Sequence, residues 1–206
     1  MVDDADVREA LRRQWTRIAA AIDKLDIEEK SRVAGWRNAE VLAHLAVQPL
    51  LLGRFLVSAE TADATMGLED NLAGTHAMAE TIDATARQGA QAGKLDFARN
   101  ATAVDSALTT ADLNSTITSL QGPIRLADYF RTRSIEAVVH GGDLSPPVQP
   151  DADAPAVTVD ALKTVLRTRA PQLADSVDLP AEMFVDIATG RASVPHALAH
   201  VMPLMT

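Results

Sequence analysis

From Asp6 to Lys24 the apolar residues Val7, Leu11, Trp15 (or Gln14), Ile18 and Ile22 recur at three-to-four spacing, with Arg and Asp between them. That period gathers the apolar side chains on one stripe of a helix and leaves the charges outside. Later stretches repeat the spacing, so the chain has several helical stripes to bury against one another. The residue types point the same way. Apolar residues make up 47% of the chain but aromatics only 3%, and Ala and Leu dominate. Ala and Leu are strong helix formers, whereas strands draw on β-branched and aromatic residues. With 206 residues the chain can bury a sizeable core in one ordinary domain, or one domain with an appendage.

Punctuation divides the rest. Ser31 to Trp36 is a connection containing Gly35. Asn38 is the expected N-cap with Glu40 in the first turn, and a second helix then runs towards Ala59. Pro49 lies inside it and cannot donate to the carbonyl of Leu45, so a kink or break is expected there. A third helix is expected over Leu72 to Gln88, and a shorter one over Leu95 to Leu108. Asn114 to Leu120, rich in Thr, Ser and Ile, suits a short extended segment before Gly122-Pro123. The next helix covers about Leu126 to His140 and should stop at Gly141-Gly142. Ser145 to Pro155 holds four prolines and reads as a linker. Short helices follow over Val159 to Arg169, Ala181 to Ala188 and Ser193 to His200. The expected fold is all-α in the main: a four-helix bundle over 1–145, a Pro-rich linker over 146–157, and a small, mostly helical appendage over 158–206.

Charge and composition exclude several functions. The net charge of −9 repels phosphate backbones, so no nucleic-acid partner is expected. No Lys/Arg cluster suggests a lipid surface, and the apolar run at Leu50 to Leu52 is too short to span a bilayer. The start, MVDDADVREALRR, does not read as a secretory signal. Cysteine is absent, which excludes disulfides, Cys-ligated zinc and a cysteine nucleophile. A cytoplasmic monomer or homodimer is the expectation.

One constellation carries chemistry. Glu136 and His140 are four residues apart, hence on one helix face. His44 lies among Val41, Leu45, Gln48 and Leu52, a mostly apolar face that should turn into the bundle. Bundles build metal sites from side chains that converge this way. Two His and one carboxylate suit zinc with one position open, and other divalent first-row metals as well. The alternatives are ordinary: a lone helical His is often a core residue, and a Glu/His pair at this spacing is often a surface pair.

Two motifs add a resemblance. Gly35-Trp36-Arg37-Asn38-Ala39-Glu40-Val41-Leu42-Ala43-His44-Leu45 resembles the G-W-x-x-x-x-V-x-x-H-L segment of the DinB-like superfamily. Arg131 to Leu144, TRSIEAVVHGGDL after the first Arg, resembles the T-R-x-x-E-x-x-V-H-G-x-D-L segment of its mycothiol-dependent maleylpyruvate isomerase branch. Met183 to Arg191 is similar to the end of a helix in that family's C-terminal unit, normally a small α/β module and here shortened. The resemblance implies a DinB-like four-helix bundle, His44, Glu136 and His140 as ligands of a divalent metal (Zn2+ foremost), and mycothiol as thiol cosubstrate.

A metal-held thiol ionises, and its thiolate is a nucleophile. Such a site serves an isomerase acting on a maleyl-type double bond. It serves equally a thiol S-transferase acting on electrophiles in detoxification; a non-catalytic binding module is the third reading. The partners implied are a small-molecule electrophile and a low-molecular-weight thiol. Arg133, three residues before Glu136, either orients the carboxylate or holds an anionic substrate, or else forms a plain ion pair. Asp143 either supports a ligand His as a hydrogen-bond acceptor or caps the next turn. Trp36 is expected to pack the bundle end rather than contact substrate, His76 to lie on the surface rather than contribute to the pocket, and the pair His196/His200 to lack a third ligand. The region after Pro155 should contribute little to metal binding.

Overall fold

A computed structural model describes residues 2–59, 63–174 and 176–205. Helix α1 spans Asp4–Ile22, α2 Asn38–Val57, α3 Leu68–Ala77, α4 Ala79–Gln91 and α5 Phe97–Thr110. A ribbon of β1 (Thr116–Thr118) and β2 (Pro123–Arg125) precedes α6 (Leu126–Asp143); α7 (Ala154–Arg169), α8 (Pro171–Ala174) and α9 (Ala181–Ala188) follow, with a one-turn 3-10 helix at His196–Leu198. The fold is mainly helical, as the Ala/Leu bias requires.

Helices α1, α2, α5 and α6 form the bundle. Leu11, Trp15 and Ile18 of α1 meet Leu42, Leu45 and Leu52 of α2, Phe97 and Leu108 of α5, and Phe130 of α6. Trp15 packs edge-on against Phe97, with ring centroids 6.0 Å apart. The Asp3 carboxylate accepts from Ala5 N and so caps α1. Helix α6 is covered on both sides. Ile135 and Val139 face a second cluster made with Leu162, Val165 and Leu166 of α7 and Phe184 and Ile187 of α9. Apolar contacts on that side leave Glu136 and His140, at the intervening helical positions, turned towards α2.

Several elements differ from the sequence expectation, each for a packing reason. Asn38 is not a cap. Arg37 holds the N-cap position, and Glu40 accepts from the Arg37 N–H at 2.8 Å. Asn38 is buried instead; its amide donates to Asp26 O and Ser145 O, and its oxygen accepts from Ser145 N. It thereby ties the start of α2 to the chain leaving α6. Pro49 does not end α2, which continues to Val57. That helix is long and apolar enough to cross a membrane, although no single apolar run in it is long, and half of the relevant stretch is buried inside the protein. Its burial among α4, α5 and α6 accounts for its apolar character.

The third helix is two helices that part at Met78, one packing on α6 and α7 and the other on α2. No proline or cap marks that change of direction. Gly141-Gly142 does not stop α6, which runs on to Asp143. At Gly141 a Cβ would come within 3.3 Å of Gln14 Nε2, so the glycine permits close approach of α1 rather than a helix end. The extended segment pairs as a ribbon in which Ile117 and Ile124 face each other, both fully buried. Beyond the prolines, α7 starts at Ala154 with Pro155 in its first turn, five residues before the expected Val159. The segment before it is held to α1, since Gln14 Oε1 accepts from Asp151 N at 2.7 Å and Arg13 pairs with Asp151.

Candidate metal centre

The apolar stripe of α2 turns His44 inward, and the covering of α6 by α7 and α9 turns Glu136 and His140 towards it. One ligand atom from each of the three lies within 4.8 Å of the others; among the described residues no other group of three or more potential ligands gathers this way. His44 Nε2 stands 2.9 Å from Glu136 Oε2, and His140 Nε2 stands 3.4 Å from the same oxygen. His140 Nδ1–H donates to Asp143 Oδ2 at 2.9 Å. Arg191 Nη2 donates to that oxygen at 2.7 Å. Asp143, 1% exposed at its side chain, therefore fixes the imidazole so that Nε2 faces Glu136. Trp36 lies over both rings, 5.9 Å from His44 and 6.4 Å from His140 between centroids. Its indole N–H donates to Asp83 at 2.7 Å.

Burial and pairing set the charges. Burial pushes His44 below the usual imidazole range, against the pull of Glu136. Burial would raise Glu136, but hydrogen bonds from His140 and His44 overcome it and hold the carboxyl well below its ordinary value. His140 is the reverse: burial pulls it down, yet Asp143 and Glu136 lift it to about 9. The set is two imidazole nitrogens around an ionised carboxylate, a donor set that suits a divalent ion of intermediate softness. Beside it, Gln48 Oε1 is buried and has no hydrogen-bond partner among the described residues, while Gln48 Nε2 stands 3.3 Å from His44 Nε2. The residues present fit a metal.

The sequence model of the mycothiol maleylpyruvate isomerase N-terminal domain matches residues 8–145, a span holding both helices of the triad. The chain belongs to that family. Among solved structures this family member is similar to a mycothiol-dependent maleylpyruvate isomerase, at 16% identity and a TM-score of 0.57, over 83% of this chain and 72% of that one. It is also similar to a single-substitution mutant of a mycothiol-dependent maleylpyruvate isomerase, at 15% identity and a TM-score of 0.56, with the same coverage. At these identities the likeness shows a shared fold. No curated protein matches.

The family chain places its predicted residues unevenly. His44, Glu136, His140 and Asp143 come together, and Arg133 lies on the inner side of the triad. His196 and His200 are exposed and outside the cluster. His76 is exposed and lines the outer cavity. Trp36 does more than close the bundle end, since it walls the site. The tail supplies none of the three candidate ligands, but Thr189, Gly190 and Arg191 line the same cavity, and Arg191 holds Asp143. The only signal for Arg191 was the Thr-Gly-Arg ending after α9, which spoke for the family's C-terminal unit and not for the site. A separate groove of about 590 Å³ between α1 and α5 is lined by residues such as Glu9, Arg12 and Asp105 and touches none of the triad.

Proposed function

We propose that the chain is a metal- and thiol-dependent enzyme of the maleylpyruvate isomerase type, with His44, Glu136 and His140 holding one divalent metal, zinc by preference. The convergence of the three ligand atoms beneath a cavity carries this reading. A divalent cation held there would ionise a coordinated thiol, which is the nucleophile needed for addition to an electrophilic double bond and later departure after rotation. The chain's own groups do the rest. Glu136 supplies the negative charge between two neutral donors. Asp143 keeps His140 Nε2 directed inward, and Arg191 keeps Asp143 in place. Trp36 shields the two rings from water. The ligands all precede the stretch 146–157, and the region 158–206 adds the Arg191 support. The same centre serves thiol transfer, and the product separates the two: an isomerised acid with the thiol returned, or a stable thioether. Measuring metal content, then thiol consumption and product with a cis-unsaturated acid, tests the reading; full metal loading with neither reaction would leave only a binding module.

Two outcomes follow from the same geometry. In Asp143→Asn the side chain keeps its shape but no longer carries charge for His140 and Arg191. Metal affinity should fall about 10–100-fold, the range for loss of a partner behind a ligand histidine. Unchanged affinity by competition with a chelator would show that Asp143 does not support the site. The second concerns protons. At pH 7 metal-free His140 is an imidazolium, since its pKa is raised to about 9, while His44 is held towards the neutral imidazole and Glu136 towards the carboxylate. Metal uptake should therefore release about one proton, and affinity should climb with pH until about 9 and then level. By the same sign, the His140 contribution to metal-free stability is full below the unfolded imidazole value and is lost as pH rises through about 9. Calorimetry in buffers of different ionisation enthalpy counts the proton; a count of zero contradicts the assignment.

A further inference from the structure

Two cavities meet at the triad, and they differ in chemistry. The outer one, about 550 Å³, carries Arg32, Asp83 and Arg191 among its lining groups. The inner one, about 160 Å³, is lined by Val47, Leu51, Met78 and the exposed Leu120, so it too opens to solvent, and it holds Tyr129, Gln48 and Arg133. His44, Glu136, Thr75 and Ile82 border both.

Arg133 is the unusual group. It is only 6% exposed, and its Nε donates to Thr132 Oγ1 at 3.1 Å. Its guanidinium carbon lies 4.8 Å from the centre of the Tyr129 ring. Among the described residues no carboxylate pairs with it. Arg131, as deeply buried, has Asp4 at 2.7 Å, and Arg191 has Asp143. Glu136, one turn along, gives its carboxylate to the two histidines. A buried cation without an anion is costly, so its place in a cavity implies an anion brought from outside. Gln48 stands beside it, with its Nε2 3.3 Å from His44 Nε2 and its buried oxygen unpartnered among the described residues.

We propose that the inner cavity is a carboxylate subsite, in which Arg133 holds the acid group of a small unsaturated substrate while the outer cavity takes the bulkier thiol. This rests on the thiol-enzyme reading for the second occupant, but not for the first. The planar fork of a guanidinium matches a carboxylate through two parallel hydrogen bonds. At roughly 30 Å³ per water-sized group, the inner volume admits about five heavy atoms, the size of one end of a short acid. The shared border of His44 and Glu136 then places the adjoining double bond where the thiol arrives.

The test is calorimetric titration of the full chain, loaded with zinc, with maleate and with its uncharged diamide. Maleate should bind and the diamide should not. Arg133→Gln should weaken maleate at least about tenfold, as for loss of a hydrogen bond to a charged group, with zinc content unchanged. Arg133→Lys should recover part of it, having the charge without the fork. The proposal is overturned if the natural chain fails to bind maleate, binds acid and diamide alike, or binds maleate no better than Arg133→Gln. If Arg133→Gln does not fold, the comparison of acid with diamide on the metal-free natural chain decides, since no zinc is there to take the carboxylate. A chain that takes up no zinc is titrated in the same way, because the proposal concerns Arg133 and not the metal donors. Maleate held through Arg133 without any thiol reaction would sustain the subsite and remove the isomerase reading.

Discussion

His140→Ala is expected to lower zinc affinity roughly 100-fold or more. A complete four-ligand zinc site is worth about 10–16 kcal/mol, so each ligand carries on the order of 3 kcal/mol. Two ligands, His44 and Glu136, would remain. The variant should stay folded, because the bundle rests on Leu11, Leu42, Leu45, Phe97 and Phe130 rather than on His140. Asp143 keeps Arg191 as its partner, so no buried carboxylate is stranded. Glu136→Gln is the finer variant. It keeps the side-chain shape and removes the charge that lies 2.9 Å from His44 and 3.4 Å from His140. Zinc should weaken here too, with an unchanged helical spectrum. Elemental analysis and chelator competition read both. Stoichiometric zinc in both variants after chelator challenge would mean that the ligands lie elsewhere and that the proposed chemistry has no centre.

Phe130→Ala should produce the largest loss of stability of any change near the site. Phe130 is fully buried on α6, on the bundle side, six residues before Glu136. Truncation removes its transfer energy and leaves a cavity that close-packed neighbours fill only in part. The cost should be about 3–5 kcal/mol, which for a chain of this size lowers Tm by on the order of 10 °C. Thermal unfolding followed by circular dichroism measures it. A fall of one or two degrees would mean that α6 is not the central packing element. The comparison with His140→Ala is informative, since one residue should govern stability and the other metal, although both lie on the same helix.

The helical class and most of the helices were legible because their cause is local. The three-to-four spacing in α1, the Ala/Leu bias and the break at Gly122-Pro123 act within a few residues of one another. Glu136 and His140 shared a face by period alone, and His44 had to turn inward because its neighbours Val41 and Leu45 are apolar. The Met78 break, the continuation of α6 through Gly141-Gly142 and the true role of Asn38 had no local signal. Each depends on what a distant segment places there: α1 against Gly141, and Ser145 against Asn38. A glycine pair signals a helix end only where nothing packs on it, and here α1 does.

By itself the sequence determined the helical class and most of the helices, the acidic cysteine-free composition and the two halves of the candidate donor set. Only the tertiary structure decided that the halves meet within 4.8 Å, that Arg191 reaches back to hold Asp143, and that Arg133 is buried with no carboxylate partner among the described residues. The physical reason is range. Periodicity reports which face a residue occupies, because that follows from backbone geometry over a few turns. Which faces oppose one another, and which buried charges find partners, depends on contacts between residues as far apart as 44 and 136 or 143 and 191.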